Sequence, residues 1–107
     1  MMTEQGEAAP RGRWDALMEA AQAGDGRAYA RLLAEVLPPL RGLARRRLGN
    51  PALAEDAVQD TLLTLHRLRD AYDPSRPFWP WIAAIAERRC VDALRGLGRH
   101  AAREVPL

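Results

Sequence analysis

Lysine is missing from this sequence: all sixteen basic residues among its 107 are arginine. Cysteine is almost missing too. A single thiol, Cys90, builds no disulfide framework, and with two histidines it leaves too few ligands for a zinc site. No apolar run approaches the ~20 residues that a membrane span needs. The first fourteen residues, MMTEQGEAAPRGRW, have no signal-peptide hydrophobic stretch. A soluble protein of a reducing compartment, most simply the cytoplasm, with no membrane insertion, is the expectation. Also absent are a glycine-rich phosphate loop, a carboxylate dyad and a Ser/His/Asp set, so no catalytic residue, no metal and no cofactor is expected.

Val, Ile and Thr are few, while Ala and Leu dominate. Ala and Leu lose little freedom in a helix, whereas strands favour β-branched side chains. The chain therefore reads as all-α, and its length suits one domain burying somewhat over ~60% of its unfolded surface. An all-arginine basic set has two readings, a bias of genomic base composition and suitability for phosphate and planar-base contacts. With a formal net charge of only +2, the placement of the arginines matters more than their number.

Residues 1–12 lack periodicity and read as a flexible tail, residues 13–99 as the helical domain, and residues 100–107 as a linker or disordered end. The pattern predicts a first helix from about Trp14 to Ala23, with Leu17, Met18 and Ala21 inward and Gly24 ending it. Asp25 then caps a helix that buries Tyr29, Leu32, Leu33 and Val36. Pro38 and Pro39 predict a kink or very short break before the run continues to Gly49. Asn50-Pro51 starts a third helix, expected to reach about Ala71, with Leu53, Ala57, Val58, Thr61, Leu62, Leu65 and Leu68 inward. After a proline-stiffened loop at 72–77, Pro80 requires the last helix to begin near Pro77 or Phe78, and it should run to about Leu97. A compact bundle of about four helices results.

Two helix faces stand out. On the third helix, Asp56, Gln59, Asp60, Leu63 and Arg67 share a stripe opposite the core. Charges there suit plain solvation, but an exposed leucine beside carboxylates and an amide also suits docking of a basic partner helix. On the last helix, Ile82, Ala86, Cys90, Ala93 and Leu97 face inward, while Trp81, Arg88, Arg95 and Arg99 fall on a narrow outer strip. Guanidinium groups aligned with an aromatic make a plausible nucleic-acid track. Phe78 and Trp79 add to the aromatics there, with core packing the plainer reading of Trp79. Arg89 is expected to snorkel or to pair with Glu87 or Asp92. The run Arg45-Arg46-Arg47 reads as a solvated helix end.

The segment Ala54 to Leu63 (AEDAVQDTLL), with Tyr72-Asp73-Pro74, Pro77-Phe78, Trp81-Ile82, Ile85-Ala86 and Asp92-Ala93-Leu94-Arg95, resembles region two of bacterial RNA polymerase sigma factors. The extracytoplasmic-function group is the most similar, and Ala21 to Asp25 with Tyr29 and Leu32-Leu33 fits its first helices. The resemblance implies that Asp56, Gln59, Asp60, Leu63 and Arg67 dock on the β′ clamp helices of core RNA polymerase. It implies that the loop Asp73 to Arg76, Ser75 included, captures unstacked bases of the minus-ten non-template strand. Phe78 and Trp81 would then stand at the upstream edge of the melted promoter DNA, and Arg88, Arg95 and Arg99 would track its backbone. It further implies an anti-sigma factor that masks these surfaces.

Many members of the group carry Asn where this sequence has Glu87. They also have a second, helix-turn-helix domain, and Ala101 to Leu107 fall where the linker to it would begin. The expectation is therefore a domain that recognises and melts the minus-ten element, cut before its second domain. The alternative is a stand-alone sigma-like module that binds polymerase or an anti-sigma factor without melting DNA.

Overall fold

Asp25 and Asn50 open two helices in the same way. Each is extended in backbone and folds its side-chain oxygen onto two free amides, Asp25 onto those of Arg27 and Ala28, Asn50 onto those of Ala52 and Leu53. The computed structural model describes the backbone of residues 2–104 and the side chains of residues 12–96. The side chains of residues 1–11 and 97–107, Leu97 and Arg99 among them, and all of residues 1 and 105–107 lie outside the described residues. The backbone of 2–12 and 100–104 is helical where a tail and a linker were expected. Four helices follow in order: α1 Met2–Gln22, α2 Gly26–Leu48, α3 Pro51–Leu68 and α4 Phe78–Glu104. Gly24 and Gly49 adopt positive φ, 103° and 68°, and so allow the two sharp exits that L-residues resist.

Helix α2 is the centre, packing against all three others, while α4 also rests on α3 and α1. Met18, Leu32, Val36, Leu40, Val58, Leu65, Phe78 and Ile82 are fully buried where the four helices meet. Each such side chain is worth about 1.5–3 kcal/mol relative to exposure. Thr61 is also wholly buried, and its hydroxyl is satisfied by donating to the Ala57 carbonyl at 2.7 Å. Cys90 lies in this core, where burial and then the Glu87 charge push its thiol above its ordinary pKa. It stays a neutral thiol at physiological pH.

Helices α1 and α4 pass their expected bounds, starting at Met2 rather than about Trp14 and ending at Glu104 rather than about Leu97, and three further expectations need correction. No break occurs at Pro38-Pro39, which sit inside the continuous α2. Each removes a helix bond, at a cost of about 3 kcal/mol for an interior proline, but Val36 and Leu40 on either side are fully buried and packing holds the turn. Helix α3 ends at Leu68, short of Ala71, because Gln22 of α1 donates to the carbonyls of Arg69 and Tyr72 at 2.8 and 2.7 Å. Leu68 consequently lies at the rim, 42% exposed, rather than inside.

Helices α1 and α2 are joined by a cluster around Glu35. Its Oε1 accepts from Arg13 Nη2 at 2.8 Å and from Trp14 Nε1 at 3.0 Å, and its Oε2 accepts from Arg31 at 3.0 Å. Arg13 first, and then Arg31, hold the carboxyl below its ordinary pKa. A depressed carboxylate pKa contributes stability that is present above the unfolded value and lost as pH falls through the folded one. Glu35→Gln should therefore lower the melting temperature at pH 7. The gap to the unsubstituted chain should close as pH drops below about 4.3, the ordinary Glu value, as followed by circular dichroism.

Candidate nucleic-acid and partner-docking surfaces

Helix α3 presents its outer stripe as the spacing requires. Asp56, Gln59, Asp60, Leu63 and Arg67 are all exposed, Leu63 by 54%, opposite the buried Ala54, Ala57, Val58, Thr61 and Leu65. Beside the stripe, the Arg41 fork grips both oxygens of Glu55 at 2.9 and 3.1 Å, and Gln59 lies 3.4 Å from Glu55. The Arg41 guanidinium holds the Glu55 carboxyl below its ordinary pKa. Asp56 and Asp60 differ from Glu55, since neither forms an ion pair among the described residues. The result is a pair of uncompensated carboxylates flanking an exposed leucine.

The loop between α3 and α4 is tied by its own side chains. Asp73 Oδ1 accepts from the Ser75 amide at 2.9 Å and from the Ser75 hydroxyl at 2.7 Å, and the Arg76 amide donates to the Asp73 carbonyl at 3.0 Å. The Ser75 hydroxyl, its amide and the nearby Arg76 charge hold Asp73 below its ordinary pKa. Asp73, Ser75 and Arg76 are thus brought together as expected, with Asp73 Oδ1 committed to Ser75 and Asp73 Oδ2 3.9 Å from the exposed Arg76 guanidinium. Beneath them the Tyr72 hydroxyl donates to the Arg76 carbonyl.

Phe78 is a correction. Its side chain is 0% exposed and meets no surface ligand; it anchors the start of α4 in the core. Its ring contacts Tyr72 edge-on at 5.9 Å and Trp81 at 5.9 Å, and Trp81 rests on Tyr72 at 4.8 Å. Trp81 is half-buried, its inner side on this cluster. It also borders a pocket of about 270 Å³ with Arg76, Pro77 and Pro80. That is just below the ~300–1,000 Å³ typical of small-molecule sites, a size suited to one flat ring system.

Along α4, Arg88 and Arg95 are exposed. Asp92 accepts from Arg88 at 3.2 Å and from Arg89 at 3.3 Å, which leaves the half-buried Arg89 turned along the helix. Glu87 is not Arg89's partner. It reaches instead across to Arg47 of α2, so Arg47 is no mere solvated helix end.

Two residues that position this surface give no sequence signal. Asp15 of α1 accepts the Phe78 amide at 2.7 Å, capping α4 from another helix, and Gln22, two turns further along the same face, holds the loop carbonyls. Their partners lie 63 and up to 50 residues away, beyond any periodic pattern. Asp15→Ala should cost about 1 kcal/mol in urea unfolding, the usual loss for a helix cap. It should also speed amide hydrogen exchange at Phe78 and Trp79 more than in α3.

Among the described residues no group of His, Cys, Asp and Glu could hold a metal ion, and no helix is long and apolar enough to cross a membrane. Residues 32–100 match the profile of Sigma-70 region 2. The chain is 41% identical over 68 residues to RNA polymerase sigma factor CarQ of Myxococcus xanthus, covering 64% of this chain and 39% of that protein. It is 38% identical over 84 residues to ECF RNA polymerase sigma factor SigF of Caulobacter vibrioides (strain NA1000 / CB15N), covering 78% and 47%. The chain thus spans between about two fifths and half of the length of these curated relatives. Its fold is similar to an engineered region 2 of sigmaE, solved by NMR in complex with GTAAAA. The TM-score is 0.75 at 26% identity, covering 81% of this chain and 90% of that one.

Proposed function

The chain belongs to the Sigma-70 region 2 family, whose members are transcription initiation factors rather than enzymes, and we propose that it binds core RNA polymerase through α3 and opens the minus-ten promoter element through its loop and α4. The observation that carries this reading is the separation of two chemically opposite surfaces. Asp56, Gln59, Asp60 and Leu63, with Arg67 at the end of the stripe, offer acid, amide and apolar contact to a basic coiled coil such as the β′ clamp helices. Trp81, its pocket beside Arg76, and the exposed Arg88 and Arg95 offer a ring face and cations to a single strand. Arg99 continues the same spacing.

Strand opening fits the local physics. Taking a base out of the stack costs a few kcal/mol, and stacking on an aromatic returns about 1–3 kcal/mol per base. The tied turn from Asp73 to Arg76 and the buried Tyr72 and Phe78 hold Trp81 in place before DNA arrives, so little ordering is left to the binding step. Asp73 and Ser75 serve by shaping that turn. Such a domain would work in the cytoplasm with polymerase and the minus-ten non-template strand. An anti-sigma factor covering either face would silence it.

A forked oligonucleotide, duplex joined to single-stranded GTAAAA, tests the DNA half by fluorescence anisotropy. Trp81→Ala with Arg88→Ala should weaken binding about tenfold or more, given the stacking energy of an aromatic. Unchanged affinity would leave only the polymerase-binding or anti-sigma-binding module. For the docking half, Asp60→Arg with Gln59→Ala should abolish capture by β′ clamp helices in a pull-down. Undiminished capture overturns the assignment to α3.

A further inference from the structure

On the opposite flank of α4 from Trp81, a groove of about 500 Å³ opens between the last turns of α2 and the first turns of α4. Leu43, Trp79 and Ala83 line its apolar part, and Arg46, Arg47 and Glu87 its polar part. Arg47 Nε and Nη2 both donate to the same oxygen of Glu87, at 3.1 and 2.8 Å. Arg46 is exposed and ion-pairs with no acid among the described residues. A guanidinium fork closed on one carboxylate oxygen, beside a second free cation, is the arrangement that holds a phosphate oxygen.

We propose that this groove is a DNA phosphodiester site which the carboxylate of Glu87 fills until DNA displaces it. The inference rests on the DNA-binding reading above and extends it to residues outside the loop and the arginine strip. The Arg47–Glu87 pair is suited to displacement. Its side chains are 59% and 40% exposed, and ion pairs so open to water are weak. A phosphodiester bound there would meet both Arg46 and Arg47, whereas Glu87 engages only one of them.

The position favours one nucleic acid touching both flanks. At about 100° per residue, Glu87 stands about 100° around α4 from Arg88, with Pro80, Ala84 and Val91 on the face between them. Those three side chains are exposed, uncharged and short, so a backbone can cross α4 closely. A helix is about 10–12 Å across with its side chains, the length of a few nucleotides at about 3.4 Å per step. Glu87 thereby tunes affinity from within: it lowers the positive potential of the groove in the free chain and must give up Arg47 on binding.

The same forked oligonucleotide, titrated at several salt concentrations, tests this with Glu87→Gln, Arg47→Ala, Arg47→Lys and the Arg47→Ala/Glu87→Gln pair. Thermal melting verifies that each is folded. Glu87→Gln should tighten binding about threefold to tenfold. Arg47→Ala should weaken it and reduce the salt slope by about one, as for a lost phosphate contact. Arg47→Lys, which keeps the charge without the fork, should fall between the two. In the Arg47→Ala background, where no pair has to break and only the charge of Glu87 acts, Glu87→Gln should tighten binding clearly less.

Equal tightening in both backgrounds would mean general charge removal and would overturn the site, as would unchanged or weaker binding by Glu87→Gln alone. Failure of the broader DNA reading looks different, because binding would then be indifferent to Trp81→Ala with Arg88→Ala.

Discussion

The hydrogen bond from the Phe78 amide to Asp15 fixes where α4 begins, and much of the functional surface follows from that start. Pro80 confines the helix origin to within a turn, and Asp15 selects the residue. Phe78 then points into the core, and three positions on, Trp81 comes to rest against Tyr72 at the mouth of the loop. Gln22, two turns along α1 from Asp15, holds the carbonyls of Arg69 and Tyr72 and so ends α3 and starts the loop. Two polar side chains of α1 therefore frame the region between α3 and α4, and α2 supplies the apolar surface against which all three helices settle.

Charge is arranged in the same economical way. Glu35, Glu55, Asp73, Glu87 and Asp92 each lie on an arginine, so many of the acids serve the fold itself. Among the described residues, Asp56 and Asp60 on α3 and Arg46 and Arg95 on α2 and α4 form no ion pair. A net charge of +2 averages over these regions and conceals them. It is the unpaired charges that make the two faces chemically opposite, because paired ones present little field to a partner.

Much of the fold was legible in the sequence because its signals are local. The caps at Asp25 and Asn50, the exits at Gly24 and Gly49, the origin of α4 and the α3 stripe all act within one or two turns, and all stand where the spacing puts them. The break allowed for at Pro38-Pro39 and the longer α3 failed for one reason: in both places a tertiary contact outweighs local preference. Buried Val36 and Leu40 carry α2 through its prolines, and Gln22 takes carbonyls that would otherwise extend α3. At the site, the α3 stripe residues and, among the described arginines of the strip, Arg88 and Arg95 are exposed as predicted, while Trp81 is half-buried. The expectation for Phe78 failed, because composition cannot distinguish an exposed aromatic from one that anchors the core beneath it.

The sequence by itself determined four helices, their caps, their apolar faces and the family resemblance, since each is written in residues a few positions apart. Only the tertiary structure decided that Asp15 caps α4, that Glu87 lies on Arg47 rather than Arg89, and that Asp73 is spent on its own turn. The partners in the first two pairs stand 63 and 40 residues apart, and a contact closed by packing leaves no period in the chain to read. For Asp73 the partner is only two residues away, yet it took the backbone geometry of the loop to bring the Ser75 amide and hydroxyl onto one carboxylate oxygen.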